Sequence, residues 1–197
     1  MRFTVHPNML EPANVRHLAM LRTLIRQGAQ EGTFDRELAA NSPEAEAFFA
    51  KLKRALVTGY FVEEGRSGRI DTVAVPGYVF WPEGRHMGTP PVGFGLFRAV
   101  DAGYELWLAG LDFSARGGGH GRELLTALFA TSHGQKTWIV RVQRGSRYVP
   151  ALAHLLAEFD FSFVGDTTRL RWFLRKGAPP ELASRVRDAV AARGTLN

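Results

Sequence analysis

Residues 114–129, SARGGGHGRELLTALF, set four glycines within five positions directly before a segment whose Leu124, Leu125, Leu128 and Phe129 share one helical face. The preceding YELWLAGLDF, 104–113, reads as a strand that runs straight into the cluster. A strand, a glycine-rich turn and a helix in succession bring unpaired N–H groups and the positive end of the helix dipole to one point, where phosphate oxygens bind well. Glycine suits such a turn because a Cβ would block close approach of a ligand and because nest-like conformations need positive φ. A loose turn with no ligand is the plainer reading of the same residues.

Two phosphate-binding loops are excluded by the residues themselves. A Walker loop ends in GKS or GKT, whereas Gly121 is followed by Arg122 and Glu123. A dinucleotide fingerprint, G-x-G-x-x-G, fails because its last position falls on Arg122 or Leu124.

The rest of the chain supplies the elements around that turn. RFTV, 2–5, suits a short strand, and from Pro12 a helical pattern carries Val15, Leu18, Leu21 and Ile25 towards Gly28. Ser42 and Pro43 form a cap and first turn for a second helix, with Phe48, Leu52 and Leu56 on one face and an end before Gly59. Segments 60–64, 70–81 and 92–100 are rich in Val, Phe, Tyr and Ile and are separated by turn-like GRSG and PEGRHMGTPP, so hairpin-linked strands are expected. After the glycine loop and its helix come a strand at KTWIVRV and a helix marked by Val149, Leu152, Leu155, Leu156 and Phe159. RLRWFLR then alternates Leu170, Trp172 and Leu174 with Arg169, Arg171 and Arg175, the pattern of a half-exposed strand. A last helix opens at Pro179 and Pro180, to pack on the body or to pair two copies as a homodimer. This order predicts an α/β domain, a mixed and mostly antiparallel central sheet with helices on both faces.

Composition narrows the chemistry. With 197 residues, 45% hydrophobic and 22% charged, the chain is sized for one core, and no apolar run reaches the roughly 20 residues of a membrane span. MRFTVHPNMLEP lacks the apolar stretch of a secretory signal, which predicts a cytoplasmic protein with no membrane partner. The absence of cysteine excludes thiolate metal sites and any intermediate held on a protein thiol. The six histidines show no metal-ligand spacing, so no metal is expected. A net charge of +6 favours an anionic ligand or partner.

RGGGHG, Arg116 to Gly121, fits Q/R-x-x-G-x-G/A, and here the chain resembles the GNAT superfamily of acyl-CoA-dependent N-acyltransferases, for which this is the coenzyme A pyrophosphate signature. LAGLDFSA before the loop, the helix after it, and the following strand and helix ending in AEFDF strengthen the likeness. It extends over 2–175 in element order and over 91–165 in recognisable detail. The resemblance implies a GNAT-like acetyltransferase domain over 1–176, a C-terminal helical extension over 177–197, and acetyl-CoA as cosubstrate.

The resemblance also assigns roles. The strand before the loop would splay from its neighbour and leave backbone groups of Gly110, Leu111, Asp112 and Phe113 free for the pantetheine arm, with the Leu111 N–H polarising the acetyl carbonyl. Leu111, Phe113, Arg116, Gly117, Gly118, Gly119, His120, Gly121 and Arg122 would bind the coenzyme, His120 flanking a phosphate or facing solvent. Glu105, eleven residues before Arg116, stands at the offset where histone acetyltransferase-like members carry their catalytic glutamate, and it is the candidate base, with Asp112 as an alternative that could instead cap the turn. The family's usual acid, a tyrosine five residues before the phenylalanine of a Gly-Phe pair, is replaced by Leu156, and the glycine by Asp160. Tyr148 is the preferred substitute, ahead of Ser146 and His154. Gly93 and Gly95 could open space for a longer acyl chain or be mere strand irregularities.

The leading expectation is direct acetyl transfer to a primary amine in a ternary complex, since no thiol is present for a ping-pong route. The acceptor could be a small molecule, a protein or an aminoacyl-tRNA, met by loops QGAQEGTFDRE, with Glu31, Asp35 and Glu37, and GDTTR. A non-catalytic acyl-CoA-binding regulatory or interaction protein on the same fold is the second reading, favoured by Leu156. Nucleic-acid binding through the basic surface is the third.

Overall fold

The computed structural model describes residues 9–64, 70–83 and 88–194. The expected strand over 2–5, and His6 and His86, lie outside the described residues. A short strand β1 (Leu10–Pro12) leads into a 3-10 turn at Val15–His17 and then α1 (Leu18–Gln30), so the helix expected from Pro12 begins a turn and a half later. Asn14 accepts a hydrogen bond from the Arg16 N–H at 3.1 Å and caps that entry. Helix α2 (Pro43–Thr58) starts and ends as its residues predict: Ser42 Oγ accepts from the Ala45 N–H at 3.1 Å, and Gly59 closes it at φ 80°.

Strands β2 (Tyr60–Glu64) and β3 (Ile70–Ala74) pair as a separate antiparallel hairpin, and β4 (Gly77–Phe80) joins the main sheet. The single strand expected over 70–81 is therefore two. Pro76 separates them, lacking an N–H for a ladder, and the chain turns there from hairpin to main sheet. β5 (Gly93–Val100), β6 (Gly103–Leu111), α3 (His120–Ala130), the short α4 (Ser132–Gln135), β7 (Thr137–Gln143), α5 (Val149–Glu158), β8 (Phe161–Asp166), β9 (Leu170–Arg175) and α6 (Pro180–Gly194) follow. The main sheet has seven strands in the order β1-β4-β5-β6-β7-β9-β8, antiparallel throughout except where β6 meets β7. The expected α/β architecture is the observed one.

Both faces of the sheet are covered. α3 and α5 pack Leu124, Leu125, Leu128 and Leu156 against Phe97, Leu106, Val140 and Phe173. On the other face α1 and α2 pack Leu21, Ile25, Phe49 and Leu52 against Phe94 and Leu96. The final helix lays Leu182, Ala183 and Val186 on Ile139, Trp172 and Leu174. Strand β9 is thus covered on both sides rather than half exposed: Trp172 and Leu174 meet α6, while Phe173 meets the α3–α5 core. Its arginines are also engaged, Arg171 in two 3.0 Å bonds to Asp166 and Arg175 stacked over Phe129 and Phe161. Among the described residues no helix is long and apolar enough to cross a membrane.

Candidate active site

The glycine loop is a row of free amides. Gly117 and Gly119 have φ of 87° and 86°, values that glycine adopts without strain. Gly119 caps α3, its carbonyl accepting from the Arg122 N–H at 2.9 Å. The N–H groups of Gly117, Gly118, Gly119, His120 and Gly121 donate to no backbone carbonyl among the described residues. Five successive donors without backbone acceptors, at the positive end of an eleven-residue helix, are the groups an anion-binding loop requires.

The sheet opens beside this cradle. β6 and β7 pair only through Tyr104, Glu105 and Leu106, so residues 107–111 have no partner on that side. On the β5 side Leu96 opposes Leu108 while Phe97 opposes Leu106, which leaves Trp107 as an extra residue in a bulge. The bulge resets the alternation. Leu106, Ala109 and Leu111 all reach the α3–α5 core, and Trp107 and Leu108 turn to the α1–α2 side. Asp112 N–H donates to Val92 at 2.7 Å towards β5, so by the alternation of an antiparallel ladder the amides of Leu111 and Ala109 face the opening. The strand does splay, but over 107–111 rather than 110–113: of the residues expected to be free, Asp112 donates its N–H to Val92 and the Leu111 carbonyl is taken by Arg116. The bulge beside it carries no sequence signal beyond a tryptophan in a strand.

Three adjoining cavities follow the fork. A donor-side cavity of about 480 Å³ is lined by Ala109, Gly110, Leu111, Arg116, Gly119, Gly121, Arg122, Tyr148 and Leu155 among others. An inner chamber of about 410 Å³ lies between Glu105, Trp107, Phe48, Arg141 and Leu156, with Asp35, Glu37 and Glu44 also on its wall. An outer vestibule of about 610 Å³ carries Arg36, Arg144 and Arg169. Ala109, Thr33, Phe34, Leu125 and Leu152 line both the first and the second.

Arg116 turns into the cavity instead of towards the cradle. Its Nε and Nη2 donate to the Leu111 carbonyl at 3.2 and 3.0 Å, and Nη1 donates to the Tyr148 hydroxyl at 2.8 Å and pairs with Glu31. Burial opposes the charge on Arg116, but the bonds from Glu31 and Tyr148 outweigh it and hold the pKa above the ordinary arginine value. Tyr148 Oη also accepts from Arg147 at 2.7 Å, so its own hydrogen stays free for a third partner. Arg122 forms a two-pronged pair with Glu158 at 3.0 and 2.6 Å on the cavity rim.

Other expected residues are placed differently. Phe113 is 62% exposed, with Arg116 over its ring, and lies off the donor cavity wall. His120 Nδ1 sits 3.2 Å from Glu123 Oε2, and neither His120 nor Gly118 lines that cavity. Asp112 caps its turn, accepting from the Ser114 N–H at 2.9 Å. His154 is exposed on α5, Ser146 is buried against the Tyr148 N–H, and Leu156 is fully buried. Asp160 has φ 64°, a left-handed conformation that glycine adopts without strain. Gly93 and Gly95 open no space: a Cβ there would fall 2.7 Å from Leu111 and 2.4 Å from Leu128.

Glu105 is 4% exposed on the floor of the inner chamber and accepts from Arg141 Nε at 2.5 Å. Arg141 in turn stacks over Trp172, which fixes the pair from behind. Neither Arg141 nor Phe34 was marked by the sequence. The partner of Glu105 lies 36 residues away, and Phe34 sits inside the acceptor loop, where its acidic neighbours draw attention first.

No protein-family model matches the chain, and no curated protein matches it in sequence. Solved structures do. An acetyltransferase from Thermus thermophilus superposes with a TM-score of 0.54 at 17% identity, over 88% of this chain and 99% of that one. A GNAT superfamily phosphinothricin acetyltransferase from Sinorhizobium meliloti, in complex with AcCoA, gives 0.54 at 19% over 86% and 89%. AAC(6')-Ib in complex with ribostamycin and coenzyme A gives 0.55 at 14% over 91% and 97%. The seven-stranded sheet, its fork and the loop that opens α3 are thus set in the fold of the GNAT acetyltransferases.

Proposed function

We propose that the protein is an acetyl-CoA-dependent N-acetyltransferase that passes the acetyl group directly to a primary amine in a ternary complex. The observation that carries the reading is the row of five unsatisfied amides, Gly117 to Gly121, opening onto an unpaired β6 edge. The residues fit the coenzyme. A cradle of amides at a helix N-terminus suits its diphosphate, the free β6 edge suits the amides of its pantetheine arm, and two structural neighbours were solved with AcCoA or coenzyme A. When bound, it supplies the activated acetyl thioester.

The chain's own groups then have distinct tasks. The amides of Gly117, Gly119 and Gly121 hold the diphosphate, while Arg116 and Arg122, paired with Glu31 and Glu158, fix the cavity wall and offer a positive partner only where a phosphate displaces those carboxylates. The Leu111 amide lies along the donor cavity. Ala109, whose amide shares that edge, stands where the donor cavity meets the inner chamber, and so is better placed than Leu111 to donate to the carbonyl oxygen as it gains charge. Glu105 faces the amine from the chamber floor and receives its proton, directly or through water. Tyr148, its hydroxyl held by Arg116 and Arg147, offers a proton or hydrogen bond to the departing sulfur. Asp35, Glu37 and Glu44 favour a cationic amine entering the chamber.

Isothermal titration with acetyl-CoA, beside 3′-dephospho-coenzyme A and ATP, tests the donor site; thiol release over panels of polyamines, aminoglycosides, peptides and aminoacyl-tRNA tests transfer. Selective acetyl-CoA binding with thiol release for one amine class is the expected result. Binding with no release for any amine would favour the non-catalytic reading, and absent binding would overturn the proposal.

A further inference from the structure

Among the described residues, Phe34 is the one side chain that lines the donor cavity, the inner chamber and the vestibule together. It is 8% exposed although it belongs to the loop between α1 and α2. Its backbone is tied to the end of α1, since the N–H groups of Thr33 and Phe34 both donate to the Gly28 carbonyl, at 2.7 and 3.3 Å. The ring lies directly over Gly28, where an added Cβ would fall 2.5 Å from the ring Cδ2. Its far edge reaches the free strand: a Cβ at Gly110 would stand 3.6 Å from the Phe34 Cζ. Phe94 closes it from beneath, with ring centroids 6.2 Å apart. The ring is therefore a fixed partition, set against the stretch of β6 where Ala109 and Gly110 line the donor cavity.

We infer that Phe34 sets the length of the acyl group, confining the donor to acetyl-sized thioesters; the inference rests on the acyltransferase reading above. A thioester carbonyl held at the Ala109 amide directs its acyl tail towards the junction of the two cavities, and Phe34 is the wall of that junction. A methyl group stops short of the ring. Each further methylene must displace the ring, which Gly28 and Phe94 prevent, or enter the chamber that the amine needs. Gly93 and Gly95 give no relief, because Leu111 and Leu128 fill the space above them. The small-residue signature that would announce a roomy acyl pocket is instead spent on close packing.

The test is the ratio of hexanoyl-CoA to acetyl-CoA affinity, measured by titration calorimetry on the purified chain and on variants with native-like circular dichroism and a cooperative melt. A methylene buried against vacated apolar wall is worth about fourfold in affinity, so Phe34→Ala should raise the ratio by about tenfold or more. Phe34→Leu should fall between Ala and the parent, and Phe34→Trp should lower the ratio. Gly28→Ala moves the same ring without removing it, and should change the ratio while keeping the aromatic side chain. If the folded Phe34→Leu and Gly28→Ala proteins bind acetyl-CoA with the parent ratio, the inference fails and the acyltransferase reading survives. If the parent chain binds neither thioester nor free coenzyme A, both fall together.

Discussion

Arg116 Nη1 donates to the Tyr148 hydroxyl at 2.8 Å while pairing with Glu31, so one guanidinium joins the end of α1 to the start of α5 across the mouth of the donor cavity. The remaining donors of the same group satisfy the Leu111 carbonyl on the unpaired strand edge. Replacing Arg116 with Ala would leave that carbonyl and Glu31 without this partner and the phenol with Arg147 alone; these groups are half-buried, so the loss falls short of the roughly 1–3 kcal/mol that a fully buried unpaired polar group costs. We expect Arg116→Ala to lower the melting temperature of the ligand-free protein and to weaken acetyl-CoA binding, as read by differential scanning and titration calorimetry. Glu31→Gln, which keeps a hydrogen-bond acceptor, should show a smaller form of the first effect.

Gly119 separates conformational strain from steric exclusion. A Cβ there meets nothing within 4 Å, so Gly119→Ala costs only the left-handed backbone, roughly 1–2 kcal/mol. The added methyl points into the open side of the loop, against any diphosphate gripped by the neighbouring amides. Acetyl-CoA affinity should therefore fall at least tenfold in a protein that still folds. Unchanged affinity would place the ligand elsewhere.

For Glu105→Gln the proposed base is neutral but remains able to accept the Arg141 hydrogen bond. Turnover with any amine that supports thiol release should drop by about 10²–10⁴, the usual worth of general base catalysis, with acetyl-CoA affinity retained. The variant should also melt lower than the parent, because Arg141 loses its charged partner beside a buried site. Undiminished turnover would remove Glu105 from the mechanism and leave it as a structural ion pair.

Asp160, like Ala102, has a backbone conformation that favours glycine. Its φ of 64° and the 2.8 Å bond from the Lys176 N–H to its carbonyl mark a left-handed turn between α5 and β8. Aspartate bears this conformation better than most side chains, so the gain from Asp160→Gly is modest, roughly 0.5–1 kcal/mol, whereas Asp160→Ala should be destabilising. Chemical denaturation of the two variants reads the difference directly.

Stability should fall in mild acid. Burial, followed by the nearby charges of Arg16 and Lys136, holds His17 and His133 below the usual imidazole value of 6.5. As pH drops through about 6.5 the unfolded chain takes up protons that these folded imidazoles resist, so the unfolded state gains relative to the native one. Above that pH both residues are neutral in both states and contribute no slope. Asp166 acts in a separate, lower window: its bonds to Arg171 depress its pKa, so its contribution is complete above 3.8 and is lost only as pH falls through the depressed value. Urea melts at half-unit pH steps should show a plateau above neutrality and a decline below about 6.5 that His133→Gln reduces.

How far the residues alone foretold this molecule depends on the range of the interaction involved. Caps and turns are local, so Ser42, Pro43 and Gly59 announced the bounds of α2, and the Gly117–Gly121 row the turn that opens α3. The break at Pro76 was readable in principle, yet the β-rich residues around it masked a change of sheet. The bulge at Trp107 was not readable, because it is a mismatch between β5 and β6 and belongs to neither strand by itself. The Glu105–Arg141 pair and the three-cavity position of Phe34 depend on segments brought together only by the closed sheet. Leu156 and Asp160 were visible as departures from the family pattern. Their structural meaning, a filled core position and a left-handed turn, required the fold.

Because β6 and β7 share only three paired positions, the sheet parts beyond Leu106, with four strands on one side and three on the other. Apart from the Leu111 carbonyl, which Arg116 holds, main-chain polar atoms of β6 beyond Leu106 have no ladder partner on the β7 side, and an extended ligand laid there would bond to them as a missing strand does. An open strand edge is a template for another strand, so we expect the ligand-free protein to self-associate more readily than the ligand-bound one, as sedimentation velocity would read.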